Sequence, residues 1–569
     1  MDGRPVSPAT PASEGGSRPN WKLAEPINAL TQGIVASGFG HLPFGRALLL
    51  DFVWEDAAED GAKGGTKGGS WLHALDAEVE ITHGAPMEKG SRAAILAFTW
   101  TGLKRMRLDD RALASFSRPF REGMFQEDRL RRLGDRRTDY WLDTVIGGGP
   151  RWSGNVPLRN PSQQDPEWVS ATSVPHLHKE QDIRTPLTVH ALLLLYTGTE
   201  AEAEAWSGRV KALLRGVGVE TVRELDLHLD IEKQGGFSRE HFGFADALSQ
   251  PIPYGLPIPE DESGLVTLAG VPAQRDPIQG VPLGEILLGY QNGYSEPAPG
   301  PLVSQSHDDG PDKGKEDARV VAAGLEPHPL AEGFADLGIN GSYLVVRELK
   351  QDVAMFWNSF DANAAQLKAK DPSIGPVDAE WLAERAVGRD LDGHLLRPGG
   401  GVLPARPDGT PDSDFLFRER DPKGLGCPLG SHVRRSFPRD GLAPDPSRDS
   451  RDTLLQSANN HRVLRRGRKY GEKIADKRVD DGADRGLLFM CLNTDIERQF
   501  EFTQQTWLLN TTFSTLYGES DPLVGPSGHF TIPQEPLRRR VPVQTYVQFS
   551  GGEYFFLPSM PALAYLRQL

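Results

Sequence analysis

What most limits the fold of this chain is a set of short apolar runs, four in each half, separated by helical or polar stretches. The first half carries "RALLLDFVW" (46–54), "AAILAFTW" (93–100), "LTVHALLLLY" (187–196) and "LDLHLDIE" (225–232). The second carries "SYLVVREL" (342–349), "GLLFMCLN" (486–493), "TYVQFS" (545–550) and "EYFFLPS" (553–559). Short runs of this composition read as strands rather than helices. Helical runs alternate with them, among them "GLKRMRL", "EAEAWSGRVKALLRGV" and "QDVAMFWNSF". In "TDIERQFEFTQQTWLLN" (494–510), Ile496, Phe500, Phe502 and Trp507 fall at helix-like spacing. Strands and helices mixed within both halves predict an α+β fold with two similar halves.

The length of 569 residues is more than one typical domain needs. Residues 1–22 are polar and Pro/Ser-rich and read as a disordered tail. The segments 57–70 and 397–414 read as flexible loops. The charged, Gly- and Asp-rich stretch 304–319 is the expected linker between an N-terminal half (23–303) and a C-terminal half (320–569). A net charge of −15 argues against nonspecific nucleic-acid binding, which needs a basic surface. The two cysteines, Cys427 and Cys491, make no disulfide framework, which fits a reducing compartment. The N-terminus has no apolar signal region, and no apolar run approaches a membrane span, so the expected location is the cytoplasm with no membrane partner.

Three segments carry chemistry-bearing residues. In "EHFGFADALSQP" (240–251), Asp246 lies among aromatic and glycine residues that could desolvate it and raise its pKa for proton transfer. An Asx-turn aspartate before a Pro-rich loop is the plainer alternative, and the stretch alone favours it. In "GCPLGSHVRRSFPRD" (426–440), His432 sits beside Arg434 and Arg435. These cations oppose protonation, which suits a metal-binding imidazole, yet they suit a solvated or phosphate-facing residue equally. In "NHRVLRRGRKYG" (460–471), five cationic residues fall in the eight positions from Arg462 to Lys469. They make either a basic surface loop or an anion site. "HLH" (176–178) is too little for a metal site, and Cys427 reads as a buried inert thiol rather than a thiolate ligand.

Taken together and in order, these segments resemble the dye-decolourising peroxidase family of haem proteins. "HFGFADALSQP" is similar to the family's GxxDG segment, "CPLGSHVRRSFPRD" to its proximal-histidine segment and "HRVLRRGRKYG" to its distal-arginine segment. "GEILLGYQNGY", "NGSYLVVRELKQDVAMFW", "RGLLFMCLNTDIERQFEFTQQTW" and "GGEYFFLPS" extend the likeness from roughly residue 40 onwards. The resemblance implies two ferredoxin-like halves with antiparallel sheets and one noncovalent haem b per chain, held mainly by the C-terminal half. It matches His432 to the proximal iron ligand, Asp246 to the distal acid and Arg465 to the distal arginine. Leu487 and Phe489 match distal-pocket residues, and Asp495 matches the carboxylate that bonds the proximal histidine. Arg434, Arg435, the 462–469 cluster and Arg347 are then candidates for the haem propionates, and Trp507 and Tyr470 for a surface electron relay. The implied partners are hydrogen peroxide and small aromatic donors such as dyes or phenols, and the family includes homo-oligomers.

Two departures stand out. The second glycine of GxxDG is Ala247, which is strained if that backbone needs positive φ. The usual Gly-Arg-Trp stretch reads "GRDLDGHLL" (388–396), with Asp390 at the tryptophan position. These changes leave room for a haem-binding or haem-handling protein with little turnover, or for a scaffold without cofactor. The residue types nonetheless suit peroxidase chemistry. Peroxide must lose a proton from its near oxygen and regain it on the far one, leaving a ferryl, and a carboxylate can carry that proton. An arginine stabilises charge on the departing oxygen, a role whose loss costs about 3–4 kcal/mol. A carboxylate on the far nitrogen of a ligating imidazole makes it a stronger electron donor.

Overall fold

A computed structural model describes residues 27–54, 68–84, 92–137, 140–155, 186–230, 238–254, 276–307, 313–375, 377–407, 409–443, 450–534 and 538–569. Four strands come from the first half: β1 (Phe44–Phe52), β2 (Ala93–Phe98), β3 (Ala191–Thr197) and β4 (Val219–His228). The second half supplies β5 (Ser342–Gln351), β6 (Leu464–Arg465), β7 (Arg468–Tyr470), β8 (Gly486–Asn493) and β9 (Val547–Leu557). All pair antiparallel, in the order β2-β3-β1-β4 in the first half and β9-β5-β8 in the second, with β6 and β7 both on the free side of β8.

Helices return the chain between strands. They are α1 (Ser70–Leu75), α2 (Glu200–Arg215), α3 (Val353–Lys370) and two π-helical turns, Glu497–Glu501 and Thr503–Leu508. Each half therefore has the expected ferredoxin-like α+β arrangement. The two sheets also join at both edges, through Phe98↔Phe556 and through Lys469↔His228 and Tyr470↔Leu227, so eight of the nine strands close into a ring, with β6 paired to β8 alone. Closure removes exposed strand edges.

The period-2 alternation of each strand divides the core. Leu49, Ile95, Leu194, Val346, Met490 and Phe555 point into the ring and form one cluster across both halves. Leu50, Leu96, Leu195, Val345 and Phe556 point outward beneath helices and loops. Four apolar runs changed form. "LTVHALLLLY" breaks at Val189–His190, "LDLHLDIE" stops pairing at His228, and "TYVQFS" and "EYFFLPS" merge into β9 with a register shift opposite Glu348/Leu349.

The expected tail (1–22) and most of the 57–70 loop lie outside the described residues. The ends of the expected linker are packed. Strand Leu302–Ser304 pairs with Phe334–Asp336, Asp317 is buried, and it caps a helix (Ala318–Ala323) that rests on the helix Met560–Leu566. No helix among the described residues is long and apolar enough to cross a membrane.

Candidate active site

Alternation along β5 and β8 places a second set of side chains on the outer face of the C-terminal sheet. While Leu488, Met490 and Leu492 fill the ring, Leu487 and Phe489 face the other way, opposite Leu349 and Arg347. With Phe549 of β9 they form the floor of a cavity of about 590 Å³. Its walls come from both halves: the loop containing Asp246 from the first, and His432, Arg462 and Arg465 from the second. A volume of this size suits a cofactor-sized ligand.

His432 is the first residue of the short helix α5 (His432–Ser436). The turn before it is fixed from behind. Asp421 accepts hydrogen bonds from the N–H groups of Leu425, Gly426 and Cys427, and Arg434 donates to the Asp421 carboxylate and to the carbonyls of Asp421 and Cys427. Helix α4 (Ala379–Val387) ends at Gly388 with φ +102°, where a Cβ would come within 2.8 Å of Cys427 Sγ and Ser431 Oγ. Only glycine permits that approach. Nδ1 of His432 lies 3.0 Å from Oδ2 of Asp521, whose other oxygen accepts the N–H groups of Leu523 and Val524. Burial pushes the Asp521 carboxyl up, but the facing imidazole and the Val524 N–H outweigh it and hold it below the ordinary range. An Nδ1–H donated to this carboxylate leaves the Nε2 lone pair free for a metal.

Asp246 and Arg465 meet in the same cavity, with Oδ1 and Nη1 3.9 Å apart. Arg465 also donates through Nη2 to the carbonyl of Leu248, at 2.5 Å, and through its backbone N–H to Oε1 of Gln250, at 3.1 Å. Asp246 is 34% exposed, so it opens to the cavity rather than being sealed among apolar neighbours. Ala247 has φ +61° and Ser249 φ +60°, two non-glycine residues in the left-handed region. The strain expected at Ala247 is therefore present. It costs roughly 1–2 kcal/mol at each such residue. Asp390, at the tryptophan position, bonds the N–H and Nδ1 of His394 and so closes its own turn. Asp390, Asp392 and His394 bring ligand-type atoms within 4.8 Å of one another, but Asp392 is already paired with Arg239.

Of the further arginines that line the cavity, Arg389, Arg439 and Arg462 are buried. Among the described residues none has a carboxylate within ion-pair distance. Burial, with Arg465 nearby, pushes Arg389 down to about 10; burial and Arg389 push Arg439 down to about 9; burial, Arg439 and Arg465 push Arg462 well below its ordinary value. Nε of Arg439 is buried with no hydrogen-bond partner among the described residues. Guanidinium groups do not lose their proton in proteins, so this cluster is buried positive charge that calls for an anion. A porphyrin with two carboxylates, facing an imidazole with a free Nε2 across an apolar floor, fits these residues.

Several sequence expectations are corrected by the geometry. Asp495 does not touch His432; it accepts from the N–H and Nε of Arg498 at the start of the π-helical turns, and Asp521 takes the histidine's Nδ1 instead. Arg434 and Arg435 do not line the cavity. Arg434 braces the ligand turn, and Arg435 gathers the carbonyls of Gly430, Trp507, Asn510 and Glu519. Arg347 does line it, but Asp135 binds both its terminal nitrogens, at 2.6 and 3.1 Å. Trp507 and Tyr470 are buried, so neither is the surface end of a relay. Trp507 packs edge-on against His461, a cavity-lining ring, with centroids 5.2 Å apart. Sequence reasoning missed Asp521, Arg439 and Arg389. Arg439 was within reach, because "RRSFPRD" places it in the ligand segment itself.

No family model matches the chain. It is 30% identical over 400 residues to the multifunctional dye peroxidase DyP2 of Amycolatopsis sp., a stretch covering 67% of this chain and 71% of that protein. It is 25% identical over 405 residues to the dye-decolorizing peroxidase msp1 of Mycetinis scorodonius, covering 66% and 65%. The solved structure of DyP2 from Amycolatopsis sp. superposes with a TM-score of 0.60 at 23% identity over 97% of this chain and 98% of that one. A DyP-type peroxidase from Anabaena sp. superposes with a TM-score of 0.61 at 21% identity over 95% and 94%.

Proposed function

The chain belongs to the dye-decolourising peroxidase family, and on that premise we propose that His432 would hold one noncovalent haem b and that the loaded protein reduces hydrogen peroxide with electrons from small aromatic donors. The observation that carries this reading is the convergence on one cavity of an Asp521-backed imidazole, an Asp246–Arg465 pair and buried arginines without an anion. Bound haem would supply redox-active iron for peroxide chemistry. Everything else falls to side chains.

His432 would ligate through Nε2, with Asp521 keeping its imidazole in the Nδ1–H tautomer and strengthening it as a donor. Asp246 removes the proton from the near oxygen of peroxide and returns it to the far one, so that water departs. Arg465, held by Leu248, presents fixed positive charge to the departing oxygen. Leu349, Leu487, Phe489 and Phe549 exclude bulk water from the floor. Arg462, one of the 462–469 cluster expected from the sequence, and Arg439, which was not, would hold the propionates in place of Arg434, Arg435 and Arg347. A cytoplasmic setting belongs to the same proposal and is supported by two buried, unpaired cysteines.

Stopped-flow absorption of the haem-loaded protein tests the reading. Mixing with hydrogen peroxide is expected to change the haem spectrum rapidly, and Asp246→Asn to slow that change by about 10²–10⁴-fold. An unchanged rate in the variant contradicts the proton-transfer role.

A further inference from the structure

The loop that carries Asp246 is held from both halves of the molecule: its own half supplies the Ser238 carbonyl to the Asp246 N–H and Gln279 to Ser249, and the other half supplies arginines. Ser249, two residues beyond the strained Ala247, is gripped by two of the cavity's arginines. Arg462 Nη2 donates to its carbonyl at 2.6 Å, and Arg439 Nη2 to its hydroxyl at 3.2 Å. Gln279 closes the network. It accepts from Arg462 Nη1 at 2.9 Å, lies 3.3 Å from the Ser249 hydroxyl, and donates to the Ser413 carbonyl. The same carbonyl takes a bond from Arg439 Nη1, which also donates to Phe415. Phe437 lies beneath both guanidiniums, at 3.9 Å from Arg462 and 4.7 Å from Arg439.

A guanidinium offers five N–H donors. These bonds use three on Arg439 and two on Arg462, so both retain donors while already gripping Ser249. The two like charges repel each other, and burial denies them water. Without an anion they have reason to move apart or towards solvent, and among the described residues Gln279 is then the remaining side-chain partner of Ser249 in its left-handed conformation.

We propose that Arg439 and Arg462 are positioning residues shared between the cofactor's carboxylates and Ser249, so that loading the cofactor sets the distal loop and hence the aim of Asp246. This rests on the haem reading above and goes beyond it: the propionates do not only anchor haem, they complete the acid site on the loop from the other half. An anion on the two guanidiniums cancels their repulsion and leaves their remaining donors locked on Ser249 and Gln279. Arg465, which bonds Leu248, then meets Asp246 in register.

Amide hydrogen exchange across residues 246–250 tests the coupling in apoprotein, haem-loaded protein and haem-loaded Arg462→Gln. Loading is expected to slow exchange by about tenfold or more, and Arg462→Gln, measured at a haem concentration that saturates it, to lose most of that protection. Equal exchange with and without haem, or full protection in the variant, overturns the proposal. Should Arg462→Gln fail to fold, Ser249→Ala removes the shared hydroxyl without altering charge and is held to the same expectation. Failure of the haem reading itself looks different: no Soret change on adding haem, visible before any exchange is measured. A second readout separates positioning from mere structural support. With haem bound, the pH profile of the peroxide reaction is expected to shift in Arg462→Gln, and an unmoved profile contradicts the coupling.

Discussion

At the scale of single residues, the account stands on which carboxylate faces the ligating imidazole. Asp521 has the bond to His432, whereas Asp495 bonds Arg498. Asp521→Asn is therefore expected to lower turnover or haem affinity by about 10–100-fold, while Asp495→Asn stays close to wild type. Steady-state kinetics and haem titration on the two variants decide it, and the reverse order contradicts the geometry. A second expectation concerns Ala247, at φ +61°. Ala247→Gly relieves the left-handed strain and should stabilise the protein by roughly 1 kcal/mol, seen as a higher urea midpoint. A lower midpoint contradicts the strain. His432, Asp246 and Arg465 were readable because each lies inside a distinctive local segment. Asp521 was not, because it stands 89 residues beyond its histidine and only the folded chain brings them together. The arginines misled for a physical reason. A cation next to a ligand in sequence can point away from the cavity, as Arg434 and Arg435 do to satisfy backbone carbonyls.

At the scale of elements, the segment before Asp246 is tied to the second half by His241. Its Nε2–H donates to the Tyr470 carbonyl on β7 at 2.9 Å. Burial, with Lys469 and Arg485 nearby, lowers its pKa from 6.5 to about 4, against a raising effect from the Tyr470 carbonyl. The unfolded chain therefore binds the proton first as pH falls. Stability is lost progressively from about pH 6.5 towards about pH 4, by about 3 kcal/mol in all. His241→Gln keeps a donor for Tyr470 and cannot titrate, so its stability should fall less steeply over that interval. Parallel curves for variant and wild type in denaturant titrations contradict this. Strands such as β8 were readable from apolar runs alone. The helical segment at 494–510 was readable as a helix but not as π-helical turns, although the five-residue step from Phe502 to Trp507 is what an i→i+5 turn uses.

At the scale of the whole molecule, two ferredoxin-like halves close one ring of strands, and the cavity lies on its outer face with walls from both halves. The paired halves were readable from the two sets of strands. The closure was not, because edge pairs such as Phe98↔Phe556 leave no trace in local pattern. Nor was the packing of the expected linker's ends, since its charge and glycine content say nothing of the buried Asp317 cap. The central claim is that this shared cavity holds haem through His432. Titrating haem into the wild-type protein and into His432→Ala, followed at the Soret band, tests it most directly. Saturation at one haem per chain with a histidine-ligated spectrum, lost or greatly altered in the variant, is the predicted result. The same spectrum in both proteins, or no saturable binding in the wild type, contradicts it.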